Sequence, residues 1–280
     1  MPWGAGPDHL PGAMIPHCLS PRAGTVYLGL VWMVLASPSR GADGTPPEDK
    51  SGLPAPALTE VWTPVPPVIA APEGRPPADA IVLFDGRSLD AWESVKGGPA
   101  RWLIEGGALV IKPKSGSIRT KTAFGDLQLH LEFRTPAVVE GEGQRRGNSG
   151  IFFMGLYELQ ILDSYDNKTY VNGQAASIYK QRAPLVNASR SPGEWQSYDV
   201  IWVAPRFTKD ERMDSPARIT VFHNGVLVHH NVAIKGGTAF RGPPAYQVHA
   251  SRLPLELQDH KNPTAFRNIW VRELALPRGA

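Results

Sequence analysis

From position 127 to 134 the residues Leu127, Leu129, Leu131 and Phe133 alternate strictly with Gln128, His130, Glu132 and Arg134. Such a period of two belongs to an extended strand with one apolar and one wet face. The apolar face needs another apolar layer to cover it. Long helical periodicity is scarce in this chain, and Gly and Pro number 28 each, so the covering layer is expected to be a second sheet.

Further strands are predicted over residues 81–84, which run into Asp85-Gly86, and over 102–105 and 108–111 around Gly106-Gly107. Others are expected at 198–203, at 218–223 and 226–230 across Asn224-Gly225, and at 268–274. Paired glycines and Asn-Gly allow the positive φ of tight hairpin turns. Many short strands over some 200 residues predict an all-β sandwich of two antiparallel sheets in one domain, residues 80–280. Ligand sites on such a domain lie on a concave face or its rim loops. The charged loops 141–147 and 205–217 are the rim loops expected here.

With 42% hydrophobic and 20% charged residues, the chain can bury a sizeable core. Its net charge of +3 gives no nucleic-acid footprint. Residues 25–36 form an uncharged apolar run after Arg22, which reads as a secretory signal within residues 1–42. The run falls short of the roughly 20 apolar residues of a spanning helix, which leaves an uncleaved anchor as the lesser alternative. A secreted or periplasmic protein, with no membrane contact after signal cleavage, is therefore expected. Residues 43–79 read as a Pro-rich linker, with Pro46-Pro47, Pro66-Pro67 and Pro76-Pro77. Its second half, bearing Val61, Trp62, Val65, Val68 and Ile69, is expected to dock on the domain.

The single cysteine, Cys18, precedes the apolar run, so a processed chain would have no disulfide, cysteine nucleophile or thiolate metal site. His223, His229 and His230 lack carboxylates at ligand spacing, so no metal is predicted. No cofactor is predicted either. A structural cation is compatible with the fold, but no spacing demands one.

The segments Asn148-Ser149-Gly150-Ile151-Phe152-Phe153 and Tyr157-Glu158-Leu159-Gln160-Ile161-Leu162-Asp163-Ser164 set polar groups into apolar strands. Glu158 and Gln160 share one strand face, opposite Tyr157, Leu159 and Ile161. Asp163 is out of phase, and a bulge after Gln160 would bring it onto the same face. Two carboxylates with an amide between them suit acid and base work on a sugar. A half-exposed strand with solvated acids is the plainer alternative.

These blocks, in order with Leu83-Phe84-Asp85-Gly86-Arg87-Ser88-Leu89, Trp92, Ser177-Ile178-Tyr179, Pro184, Asn187-Ala188, Gly193-Glu194-Trp195-Gln196, Leu257-Gln258-Asp259-His260 and Phe266-Arg267-Asn268-Ile269-Trp270, resemble the 3-keto-disaccharide hydrolase domain family. The resemblance extends from about Glu60 to the C-terminus and implies a jelly-roll sandwich of the concanavalin A-like type. The sequence departs from the family pattern at Lys261 and Ser177, where glycine is usual.

The resemblance implies cleavage of glycosides already oxidised at C3, by C2 proton abstraction, β-elimination and water addition. It also implies a functional link to a sugar 3-oxidoreductase that makes the ketone. On this resemblance Glu158 and His260 are the acid/base pair, with Asp163 orienting or sharing that role, and which is acid stays open. Asn148, Gln160 and Gln258 are candidates for binding hydroxyls or the carbonyl, and Tyr179 or Trp195 for stacking on the ring. Outside that context His260 reads as a loop histidine, and the two aromatics read as core or edge residues. A non-catalytic carbohydrate-binding module and an ordinary glycosidase using Glu158 and Asp163 are the alternatives.

Overall fold

Two antiparallel sheets face each other across an apolar core in the computed structural model, which describes residues 59–276. The signal region 1–42 and linker residues 43–58 lie outside the described residues. The chain divides into two units at Pro66/Pro67, and every described strand belongs to the second. In the first unit Val61, Trp62 and Val65 are exposed; in the second, Val68 is exposed and Ile69 half-buried.

The strands follow in chain order as β1 (Ile81–Phe84), β2 (Trp92–Ser94), β3 (Leu103–Glu105), β4 (Ala108–Val110) and β5 (Ile118–Phe124). Next come β6 (Leu127–Arg134), β7 (Ser149–Phe153), β8 (Tyr157–Ile161), β9 (Gln196–Val203) and β10 (Arg206–Phe207). The last are β11 (Met213–Ser215), β12 (Arg218–His223), β13 (Val226–Ala233), β14 (Leu253–Leu257) and β15 (Ala265–Glu273). The larger sheet is ordered β13-β12-β9-β6-β15-β4-β3, with β1 also paired to β15. The smaller is ordered β2-β5-β14-β7-β8, and β10 and β11 pair separately. The chain changes sheets repeatedly, from β1 to β2, from β4 to β5 to β6, and from β13 to β14 to β15. This is the all-β, concanavalin A-like jelly-roll sandwich predicted from the sequence.

Local chemistry sets the elements. The alternating segment forms β6 over Leu127–Arg134, with its four apolar side chains buried. Gly106 and Gly107 hold φ of +56° and +75° between β3 and β4, and Asn224 and Gly225 hold +53° and +78° between β12 and β13. Expected ends shift by a few residues: β9 begins at Gln196, β13 continues to Ala233, and β15 begins at Ala265. Periodicity left β2, β5 and β14 unread. β14 contains Pro254, a residue that ordinarily argues against a strand, and the register is irregular between Pro254 and Glu256.

The sheets are joined by large aromatics. Trp202 of β9 stacks on Phe153 of β7, with ring centroids 4.7 Å apart, and meets Tyr157 of β8 at 5.3 Å. All three are buried, and each large apolar side chain so placed contributes roughly 1.5–3 kcal/mol. Tyr198 reaches across from β9, and its hydroxyl donates to the Gln160 carbonyl at 2.9 Å. The strand carrying the candidate site is thereby fixed from behind by the larger sheet.

Candidate active site

With Tyr157, Leu159 and Ile161 turned into the core, Glu158 and Gln160 face outward from β8. On β7, Phe152 pairs with Glu158 and Gly150 with Gln160. Glu256 of β14 pairs with Phe152 and, on its other side, with Arg119 of β5, which is ion-paired to Glu93 at 2.8 Å. The outer face of the smaller sheet thus carries a polar row that ends at Glu158. Gly150 leaves the space that the Glu158 side chain occupies: a β-carbon there would lie 2.6 Å from Oε1 and 3.2 Å from Cγ.

The free edge of β8 is covered by chain. Gln160 N donates to Ser177 O, Ala176 N to Gln160 O, and Tyr179 N to Glu158 O, at 2.9, 2.9 and 3.2 Å. This cover protects the edge and sets Tyr179 beside Glu158. The connection between β13 and β14 supplies another wall, because Glu158 N donates to Thr238 Oγ1 at 2.9 Å. Two residues on, Phe240 stands at the cleft mouth. Its carbonyl accepts from Lys180 Nζ at 2.7 Å, and the same ammonium lies 4.1 Å from its ring centroid.

Amides form the facing wall. Asn148 Nδ2 donates to Gln144 O at 2.6 Å, and Asn148 N donates to Asn262 Oδ1 at 3.0 Å. The amide end of Gln160 lies 3.2 Å from Glu158 Oε1 and 2.8 Å from Ser149 O, so with its NH2 turned that way it donates to both. Gln258 N donates to Gly150 O at 3.0 Å, and Gln258 Oε1 is buried without a hydrogen-bond partner. Asp259 anchors the loop that carries His260: Oδ2 accepts from Gly116 N at 2.9 Å and Oδ1 from Lys261 N at 2.8 Å. Lys261 holds φ at +71°, the left-handed region that favours the glycine usual there in the family.

These groups line one cleft of about 530 Å³. Of the eight site residues read from sequence, Asn148, Glu158, Gln160, Tyr179, Gln258 and His260 come together in it. Burial, reinforced by the negative charge of Glu256, pushes the Glu158 carboxyl up to about 8. Glu256 is itself raised by burial, against the pull of Ser117 and Arg119. His260, exposed at the cleft rim, is lowered, first by partial desolvation of its charged form and then by Lys261, while its own backbone and Asp259 oppose the shift. At neutral pH the cleft therefore holds a protonated carboxyl and a neutral imidazole, an acid and a base in one place.

Asp163 and Trp195 lie elsewhere. The β7/β8 register runs unbroken from Ser149↔Ile161 to Phe153↔Tyr157, so the expected bulge is absent and Asp163 follows the end of the strand. There Asp163 Oδ2 accepts from Arg146 Nε at 2.5 Å, and Oδ1 accepts from Tyr165 N at 3.2 Å. Asp163 and Arg146 line a separate small cavity. The guanidinium groups of Arg134 and Arg267 lie over the Trp195 ring, 4.8 and 4.2 Å from its centroid, and Trp195 does not line the cleft.

The sequence reading missed Gln144, Phe152, Tyr170, Lys180, Thr238 and Phe240, which complete the cleft. The 141–147 loop contributes Gln144 as a rim loop. The 205–217 segment instead forms the β10/β11 pair, and its residues do not line the cleft. Phe240 and Thr238 come from residues 234–252, whose length without strand or helix was itself a signal of function. Among the described residues no group of three His, Cys, Asp or Glu side chains is placed to hold a metal ion.

A β-sandwich with two titratable side chains and several amides in an open cleft suits a carbohydrate-active enzyme, and the known proteins that the chain resembles support that class. Within that class, the chain belongs to the family of the 3-keto-alpha-glucoside-1,2-lyase-like domain, whose model matches residues 79–272. It is 46% identical to a candidate glycosyl hydrolase from Parabacteroides distasonis ATCC 8503, over 81% of this chain and all of that one, with a TM-score of 0.77. A second candidate glycosyl hydrolase from the same organism shares the fold at 18% identity and a TM-score of 0.53, over 70% of this chain and 94% of that one. No curated protein matches this chain.

Proposed function

We propose that the protein cleaves 3-keto-glycosides by elimination across C1 and C2, with His260 as base and Glu158 as acid. The observation that carries this reading is Glu158: buried in the cleft and raised to about 8, it holds a proton to give at neutral pH. A ketone at C3 acidifies the C2 proton, so a neutral imidazole is base enough. His260 takes that proton, and the C–H electron pair forms an enolate with the C3 oxygen. As the enolate collapses to a C1=C2 double bond, the C1–O bond breaks and Glu158 protonates the departing oxygen.

Asn148 and Gln258 supply amide N–H groups for the developing enolate oxygen. The first products are the free alcohol and an unsaturated keto-sugar. Water adding its oxygen to C1 and a proton to C2 would complete net hydrolysis. Proton exchange with solvent returns Glu158 and His260 to their starting forms. These steps break and remake the C1–O bond without net oxidation or reduction, so an oxidoreductase acting on the C3 hydroxyl must come before them. The apolar run at 25–36 supports export, which would place the reaction outside the cytoplasm.

The ordinary glycosidase alternative is disfavoured because Asp163 is held by Arg146 outside the cleft. A substrate carrying deuterium at C2 tests the elimination. Slower cleavage of the deuterated 3-keto-glycoside, together with loss of turnover in His260→Ala, is expected. Equal rates for both isotopomers and an active His260→Ala would overturn the assignment.

A further inference from the structure

The two walls of the cleft differ in chemistry. One carries Asn148, Gln160 and Gln258, whose amides match the hydroxyls and ketone of a sugar ring. The other carries rings. Phe240 is 68% exposed and Tyr170 40% exposed, and the Tyr170 and Tyr179 hydroxyls are hydrogen-bonded to each other at 2.7 Å. Lys180 sits among these rings, 5.8 Å from the Tyr170 centroid, 5.7 Å from Tyr179 and 4.1 Å from Phe240.

Glu158 stands where the two walls meet: its carboxyl lies against Gly150 and the Gln160 amide, and its backbone is bonded to Tyr179 and Thr238 of the ring wall. With the sugar ring on the amides, a leaving group that Glu158 protonates extends onto the rings. The polar groups of that wall are partly committed to the wall itself, Tyr170 to Tyr179 and Lys180 to the Phe240 carbonyl. It also has an exposed phenyl ring, one face of which is occupied by the Lys180 ammonium.

We propose that Phe240, Tyr170 and Tyr179 form the leaving-group subsite, that it accepts an aromatic aglycone, and that Phe240 determines this specificity. The inference rests on the acid role of Glu158 proposed above. Benzyl and methyl 3-keto-glucosides of one anomer provide the test, since their alcohols are nearly equal as leaving groups. The benzyl compound is expected to have a kcat/KM about tenfold higher, on the scale of one stacking contact. Phe240→Ala should bring the ratio close to one, and Phe240→Trp should restore it. Because Phe240 is exposed, neither substitution disturbs the core.

Equal cleavage of the two compounds, or a ratio unchanged in Phe240→Ala, would overturn the subsite. Binding of the unoxidised benzyl and methyl glucosides separates this from the chemistry. An affinity preference for benzyl that disappears in Phe240→Ala supports the subsite even if no 3-keto-glucoside is cleaved. No preference in affinity overturns it.

Discussion

A β-carbon at Gly150 would lie 2.6 Å from Oε1 of Glu158, so the absence of a side chain on β7 is what lets the acid of β8 lie down across the sheet. The backbone at Gly150 is extended and accepts alanine without strain, and the colliding atom is the end of a flexible side chain. Gly150→Ala should therefore keep the fold while displacing the Glu158 carboxyl. We expect kcat/KM to fall by about 10²-fold, the scale of a 1 Å misplacement, with an unchanged circular dichroism spectrum. Full activity in this variant would show that the Glu158 position is not critical.

Glu158 should also trade stability for function. Its folded pKa of about 8 lies above the usual 4.5, so the folded state holds its proton more tightly than the unfolded chain. This coupling costs no stability below pH 4.5, and the cost grows as pH rises through 8. At pH 7 Glu158→Gln is expected to abolish turnover yet stabilise the fold by about 2–3 kcal/mol, measured by denaturant unfolding. The wild-type rate should fall above pH 8 as Glu158 ionises. Below pH 6.5 it should fall as His260, with its lowered pKa, becomes charged.

Asp163 should behave in the opposite way. It is 2% exposed and bonded to Arg146, and its carbonyl accepts from Asn167 Nδ2 at 2.6 Å. Asp163→Ala leaves a guanidinium without its partner and should cost about 3 kcal/mol of stability. Turnover per folded molecule should be retained. Loss of turnover without loss of stability would return Asp163 to the catalytic pair.

His223 gives the fold an acid limit of its own. It is buried, bonded through Nε2 to Gln196 Oε1 at 2.9 Å, and lowered to about 4 by burial and by Arg190. Its folded pKa lies below the ordinary 6.5, so its contribution is complete above pH 6.5 and lost as pH falls toward 4. Unfolding free energy should drop by about 3 kcal/mol across that window, and His223→Gln should flatten the slope.

The sequence was most legible where one physical rule acts alone. Alternation located β6, and the Gly106-Gly107 and Asn224-Gly225 turns located two hairpins. β5 was missed because Arg119, Thr120, Lys121 and Thr122 interrupt its apolar pattern, although Thr120 is buried and its Oγ1 accepts from Leu255 N at 3.0 Å. The cleft was legible through Glu158 and Gln160, whose phase on the strand is local. It was not legible through Phe240 or Lys180, which tertiary contacts bring to the mouth. Asp163 misled because its polarity signals an ion pair with Arg146 as readily as a catalytic role.

Ketone-assisted elimination is decided by a matched pair of glycosides, one native and one oxidised at C3, incubated with the purified protein while release of the alcohol is followed. Cleavage of the 3-keto member alone, lost in Glu158→Gln, is the predicted result. Equal cleavage of the native glycoside, or cleavage of neither, would contradict ketone-assisted elimination at Glu158 and His260.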